Sequence, residues 1–140
     1  MIDLKNIKTF KLKKFKNPKG NILRGFRKDD KFPGTSAEIY FSWINKKKIK
    51  GWKLHKKMSM NLVVPVGKVK FVFYNGNKFK ALIIGENNYK RIFVPSNVYF
   101  AFQNLSKKKS LIVNNASIIH QNRNETLVKS LNKINYSWKK

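Results

Sequence analysis

The sequence predicts an all-β fold, a sandwich or barrel of short strands. Three observations carry this. Apolar and polar residues alternate with period two in successive runs, most clearly from Asn61 to Val66 and from Lys68 to Tyr74 on either side of Gly67. Turn-forming groups punctuate the runs at regular spacing: Asn75-Gly76-Asn77, Gly85-Glu86-Asn87-Asn88 and Pro95-Ser96-Asn97. Eleven Phe, five Tyr and three Trp favour a pleated surface, on which aromatic rings pack well.

Taken in order, residues 1–16 alternate loosely through Ile2, Leu4, Ile7, Phe10, Leu12 and Phe15 with Lys between them. That pattern predicts an amphipathic edge strand whose lysines discourage further pairing. Asn17-Pro18-Lys19-Gly20-Asn21 is a turn, Ile22 to Phe26 a short strand, and Lys28 to Gly34 a loop. Ala37 to Ile44 predicts a strand with Glu38, Tyr40 and Ser42 on one face and Ile39, Phe41 and Trp43 on the other. Asn45 to Lys48 is a hairpin tip leading into Ile49 to Leu54. Further strands are predicted at Phe79 to Ile84, Tyr89 to Val94, Val98 to Gln103 and Ser110 to Ile119. In the tail, Leu127, Val128, Leu131 and Ile134 stand at helical spacing behind Asn124 as an N-cap, which predicts a short helix over 124–134.

A chain of 140 residues is one domain's worth, so 1–140 is read as a single unit. At 41% hydrophobic residues it can build a core despite its charge. There is no cysteine, which excludes disulfides and thiolate metal sites. The N-terminus lacks the apolar core and cleavage site of a secretory signal, and no apolar run is long enough to span a bilayer. A cytoplasmic protein without membrane contact is the expectation.

The formal net charge of +26 favours anionic partners. The excess is nearly all Lys, with Arg only at 24, 27, 91 and 123. Its densest clusters, Lys11 to Lys16, Lys46 to Lys50 and Lys107 to Lys109, fall largely at turn tips. We read it as solvated loop charge ahead of a nucleic-acid groove. A polyanion-binding protein is the third-ranked function.

The stretch from Lys50 to Tyr74 reads as a strand, a tight turn at Pro65-Val66-Gly67 and a second strand, with one of the two histidines, His55, at the start of the first. Gly51-Trp52-Lys53-Leu54-His55 with Pro65-Val66-Gly67, and then Pro95 to Asn104, resemble the two sequence boxes of cupin jelly-roll barrels. More narrowly, AEIYFSWI, the Lys50–Tyr74 stretch, IGENNYKRIFVPSNVYFAFQ and NNASIIH resemble small sugar-nucleotide cupins related to dTDP-4-dehydrorhamnose 3,5-epimerase, over roughly Glu38 to His120. The resemblance implies a cupin jelly-roll (double-stranded β-helix), a nucleotide-sugar substrate, a homodimer extended by residues 1–16, and a place in surface-polysaccharide synthesis.

It also implies roles. His55 matches the base that removes a proton beside the sugar's keto group, chemistry suited to an imidazole. Lys53 and Lys57, two residues to either side, share its face on a regular strand and would stabilise an enolate or bind a diphosphate. Glu38, Tyr40 and Ser42 would line the pocket, with Met60 and Phe100 beside them. Lys53, Lys57 and Phe100 stand where metal-binding cupins carry ligands, and no carboxylate is apparent near His55, so no metal and no cofactor are expected. Trp52 stands at the family's Arg position, Met60 near its Lys, and no Tyr matches its acid; Tyr40, Tyr99 and His120 are the acids available. A sugar-binding cupin that has lost catalysis is therefore the second reading.

Overall fold

The alternating runs become strands that pair antiparallel in two five-stranded sheets. In the computed structural model, residues 1–32, 36–120 and 124–138 are described. The strands are β1 (Lys8–Lys11), β2 (Lys14–Phe15), β3 (Ile22–Leu23), β4 (Glu38–Ile44), β5 (Ile49–His55), β6 (Met60–Val66), β7 (Lys68–Tyr74), β8 (Phe79–Gly85), β9 (Lys90–Val94), β10 (Tyr99–Asn104), β11 (Ser110–Ala116) and β12 (Thr126–Val128). One sheet runs β1-β9-β6-β11-β4, the other β12-β5-β10-β7-β8, and β2 and β3 form a separate pair.

Period two decides which side chains meet between the sheets. From β7, Val69, Phe71 and Phe73 join Ile44, Met60, Leu62, Val64, Ile92 and Ile112 of the first sheet in one buried cluster. The opposite face of the second sheet buries Trp52, Leu54, Val72, Tyr99 and Ala101 under the C-terminal segment, with Ile134, Tyr136 and Trp138 packed on them. Since Trp52 and Leu54 of β5 turn outward, their neighbours Lys53 and His55 turn inward. The strand sits unusually close to β10. A Cβ on Gly51 would lie 2.2 Å from the Ala101 Cβ, so only glycine allows the approach.

Three sequence expectations are corrected. Residues 1–16 are not one strand: the Asp3 carboxylate accepts from the Lys5 N–H and caps a 3-10 turn over Leu4–Asn6. Only β1 follows as an edge strand on β9, and β2 leaves to pair with β3. The strand from Ile22 stops at Leu23. The tail forms no α-helix among the described residues. Thr126–Val128 instead adds a strand to the open edge of β5, and a 3-10 turn follows at Leu131–Lys133. Leu127 and Val128 are exposed, so the helical spacing there reflected no buried stripe.

On β4 the polar face looks inward. Ile39, Phe41 and Trp43 are the residues that face solvent, at 49%, 66% and 43% exposure. Among the described residues no helix is long and apolar enough to cross a membrane.

Candidate active site

A cavity of about 430 Å³ opens between the sheets, lined by Tyr40 and Ser42 of β4, Lys50, Lys53 and His55 of β5, and Phe100 of β10. Met60, Phe102 and His120 complete its wall. Its base is aromatic: the His55 ring stacks on Phe100 at 5.5 Å between centroids. An apolar wall around a few polar groups strengthens their electrostatics, because little water screens them.

His55 is 5% exposed and its Nδ1 lies 2.9 Å from Glu125 Oε1 and 3.1 Å from Thr126 Oγ1. β12 makes this contact by pairing Thr126 with His55 across the edge of β5. Glu125 is itself held, its Oε2 accepting the N–H groups of Lys57 (3.0 Å) and Met58 (2.8 Å). Burial works against its charge, but those two N–H groups and the His55 ring outweigh burial and hold the carboxyl at about 2. Burial also pushes the imidazole of His55 below its ordinary value, against the opposing pull of Glu125. Near neutral pH the pair is therefore a carboxylate and a neutral ring. A carboxylate only accepts, so the single ring proton sits on Nδ1 and the Nε2 lone pair is left for chemistry.

Tyr40 is fixed differently. Its oxygen accepts from Asn114 Nδ2 at 3.0 Å, and its hydroxyl lies 3.8 Å from the Met58 sulfur. Burial, ahead of the lowering by Asn114, raises its pKa, so the phenol keeps its proton.

The structure gathers Tyr40, Ser42, Lys53, His55, Met60 and Phe100 around one cavity. Lys57 is elsewhere. β5 ends at His55, so the two-residue spacing no longer implies a shared face, and Lys57 lines a neighbouring depression with Lys56, Ser117 and Ile118. Glu38 does not line the cavity; its Oε1 accepts the His120 N–H at 2.9 Å. Two contributors escaped sequence reading. Lys50 lines the cavity and donates through Nζ to the Trp43 carbonyl at 2.7 Å. Glu125 corrects the expectation that no carboxylate stands near His55; with six acidic residues in the chain, its scarcity was the available signal.

His55, His120 and Glu125 have ligand atoms within 4.8 Å of one another, the group among the described residues able to share a cation. Both Glu125 oxygens, however, already accept hydrogen bonds, from His55 and Thr126 on Oε1 and from Lys57 and Met58 on Oε2. A cation would have to displace them, beside the Lys53 ammonium. The donor set fits proton transfer better than metal binding.

The fold is shared with known structures. A dTDP-sugar isomerase from Desulfovibrio desulfuricans is 25% identical, with a TM-score of 0.88 over 94% of this chain and 90% of that one. A sugar 3,4-ketoisomerase from Thermoanaerobacterium thermosaccharolyticum, solved with TDP, is 19% identical at a TM-score of 0.74 over 89% of each chain. A dTDP-4-dehydrorhamnose 3,5-epimerase from Sulfolobus tokodaii is 19% identical at 0.78 over 93% of this chain and 80% of that one. The last two likenesses bear on the fold, the all-β cupin jelly-roll. The sequence matches no curated protein. A family profile matches residues 5–127, most of the chain, and on that match the chain belongs to the FdtA family, described as WxcM-like, C-terminal.

Proposed function

We propose that the protein is a sugar-nucleotide isomerase or epimerase acting on a nucleotide-activated 4-keto-6-deoxy sugar, with His55 as the base. One observation carries this: a neutral imidazole in an aromatic cavity, with Nδ1 held by a carboxylate and Nε2 unoccupied by any such partner. The similar structures supply the substrate class. One is a dTDP-sugar isomerase, and a ketoisomerase was solved with TDP-4-keto-6-deoxyglucose.

A hydrogen on the carbon beside a ketone is acidic because the carbanion delocalises onto oxygen. His55 Nε2 takes that hydrogen, and Glu125 stabilises the imidazolium that results. The Lys53 ammonium, in the same cavity, favours the growing oxyanion. The Tyr40 hydroxyl and Ser42 offer hydrogen bonds to the sugar, while Phe100, Phe102 and Met60 exclude water. Lys50, on the same cavity, suits the diphosphate. This chemistry needs neither metal nor cofactor.

By the same reading the protein works in the cytoplasm, supplying a sugar for surface polysaccharide. It pairs with a second copy, for which β1 offers an edge strand to extend and β4 an exposed row of Ile39, Phe41 and Trp43.

Incubating the protein with TDP-4-keto-6-deoxyglucose and following the sugar protons by NMR tests the activity. Conversion to an isomer or epimer is expected. Saturable binding without conversion would instead favour a sugar-binding cupin that has lost catalysis.

A further inference from the structure

We propose that His120 is a second proton-transfer residue, one that moves protons between the sugar oxygens while His55 moves one between the carbons. This rests on the reading of the cavity as a keto-sugar site.

His120 follows β11 and lines the same cavity as His55 and Tyr40. Its ring lies 6.0 Å from that of His55, nearly perpendicular at 84°, and 6.4 Å from that of Tyr40. The Glu38 carboxylate, accepting its N–H at 2.9 Å, ties this loop position to β4. Among the described residues its ring nitrogens have no hydrogen-bond partner, in contrast to the held Nδ1 of His55.

Chemistry selects it over its neighbours. Moving a keto group to the adjacent carbon requires one group that both gives a proton to an oxygen and takes one from another. An imidazole titrates in the range where both are easy. Tyr40 does not suit the task, because burial raises its pKa and its oxygen is already an acceptor for Asn114. Lys53 is exposed, and its point charge serves an oxyanion. With His55 taking the carbon-bound hydrogen, the proton for the sugar oxygen is delivered by His120, the other imidazole on the cavity wall.

The cycle balances. His55 Nε2 takes the hydrogen on carbon 3, and the C–H pair becomes the double bond between carbons 3 and 4. The carbonyl pair moves onto oxygen 4, which takes the His120 proton, giving an enediol. His120 then takes the oxygen 3 proton, a carbonyl forms at carbon 3, and the double-bond pair takes the His55 proton at carbon 4. Both rings return to their starting states and no oxidant or reductant is consumed.

The test uses His120→Asn with TDP-4-keto-6-deoxyglucose in D₂O, following two rates by NMR: formation of the 3-keto product, and deuterium entering carbon 3 of recovered substrate. His120 is exposed, so the variant keeps the fold, which thermal unfolding checks. Product formation should fall roughly 10²-fold, the scale of one general acid–base group, while deuterium still enters recovered substrate. The ratio of exchange to product therefore rises. Product formed at the wild-type rate, or both rates falling together at a constant ratio, overturns the proposal. So does a wild type that inverts carbon 3 without moving the keto group. A wild type that binds the sugar nucleotide but yields neither exchange nor product refutes the functional reading beneath it.

Discussion

Replacing Glu125 by Gln removes the charge from a buried pair and turns one of its two accepting oxygens into a donor. The two side chains are 5% and 10% exposed, so solvent screens their interaction weakly. A hydrogen bond to a charged group contributes about 1.5–3 kcal/mol, and 1.36 kcal/mol is tenfold in rate, so kcat/KM should fall roughly 10- to 100-fold. The loss should appear in kcat rather than KM, because Glu125 does not line the cavity that holds the sugar. Glu125 also raises the His55 pKa through its hydrogen bond and its charge, so the acid limb of the pH profile should move to lower pH in the variant. Stability should respond as well. The Glu125 carboxyl is depressed from 4.5 to about 2, so its contribution is fully present above pH 4.5 and is lost as pH falls toward 2. That contribution is on the order of 2–3 kcal/mol, and the variant should lack this acid window in urea unfolding. Steady-state kinetics across pH, at a temperature where both proteins are folded, measures all but the last. Glu125→Gln activity within about threefold of wild type, with an unmoved acid limb, would refute the role of Glu125 in positioning and charging His55.

Wild-type kcat/KM should drop on the acid side with a single apparent pKa below 6.5, since burial lowers the His55 pKa and only its neutral form is a base. A limb above 6.5 would contradict a buried base. Exhaustive treatment with a chelator should leave activity unchanged, and loss reversed by an added divalent cation would move His55, His120 and Glu125 from proton transfer to metal binding. Gly51→Ala should destabilise the fold by roughly 2–4 kcal/mol in urea unfolding, since its Cβ would stand 2.2 Å from that of Ala101 and the core has no room to yield. A loss below 1 kcal/mol would show that β5 and β10 can separate there.

The strands were legible because period two is a local property. Val69, Phe71 and Phe73 alternate with Lys70, Val72 and Tyr74, and the structure buries the first set between the sheets. The inward row Tyr40 and Ser42 was legible for the same reason. The tail was not. Leu127, Val128, Leu131 and Ile134 have helical spacing, but the unpaired edge of β5 and the face of Trp52 determine what they do, and both are remote in sequence. Glu125 was missed on the same ground: it lies 70 residues from His55, and only the pairing of β12 with β5 brings them together. Lys57 failed in the opposite way, because the spacing rule was sound but the strand carrying it ended at His55. His120 was legible only as one of three available acids; the end of β11 and the Glu38 contact place it across from His55.

The central claim is that His55 activates a carbon-bound hydrogen of a nucleotide-linked keto sugar. Deuterium uptake from D₂O into TDP-4-keto-6-deoxyglucose, compared between wild type and His55→Ala, tests it most directly. The account predicts uptake at the carbon beside the keto group with wild type, and none above the uncatalysed background with a folded variant. Equal uptake by the two proteins would contradict it.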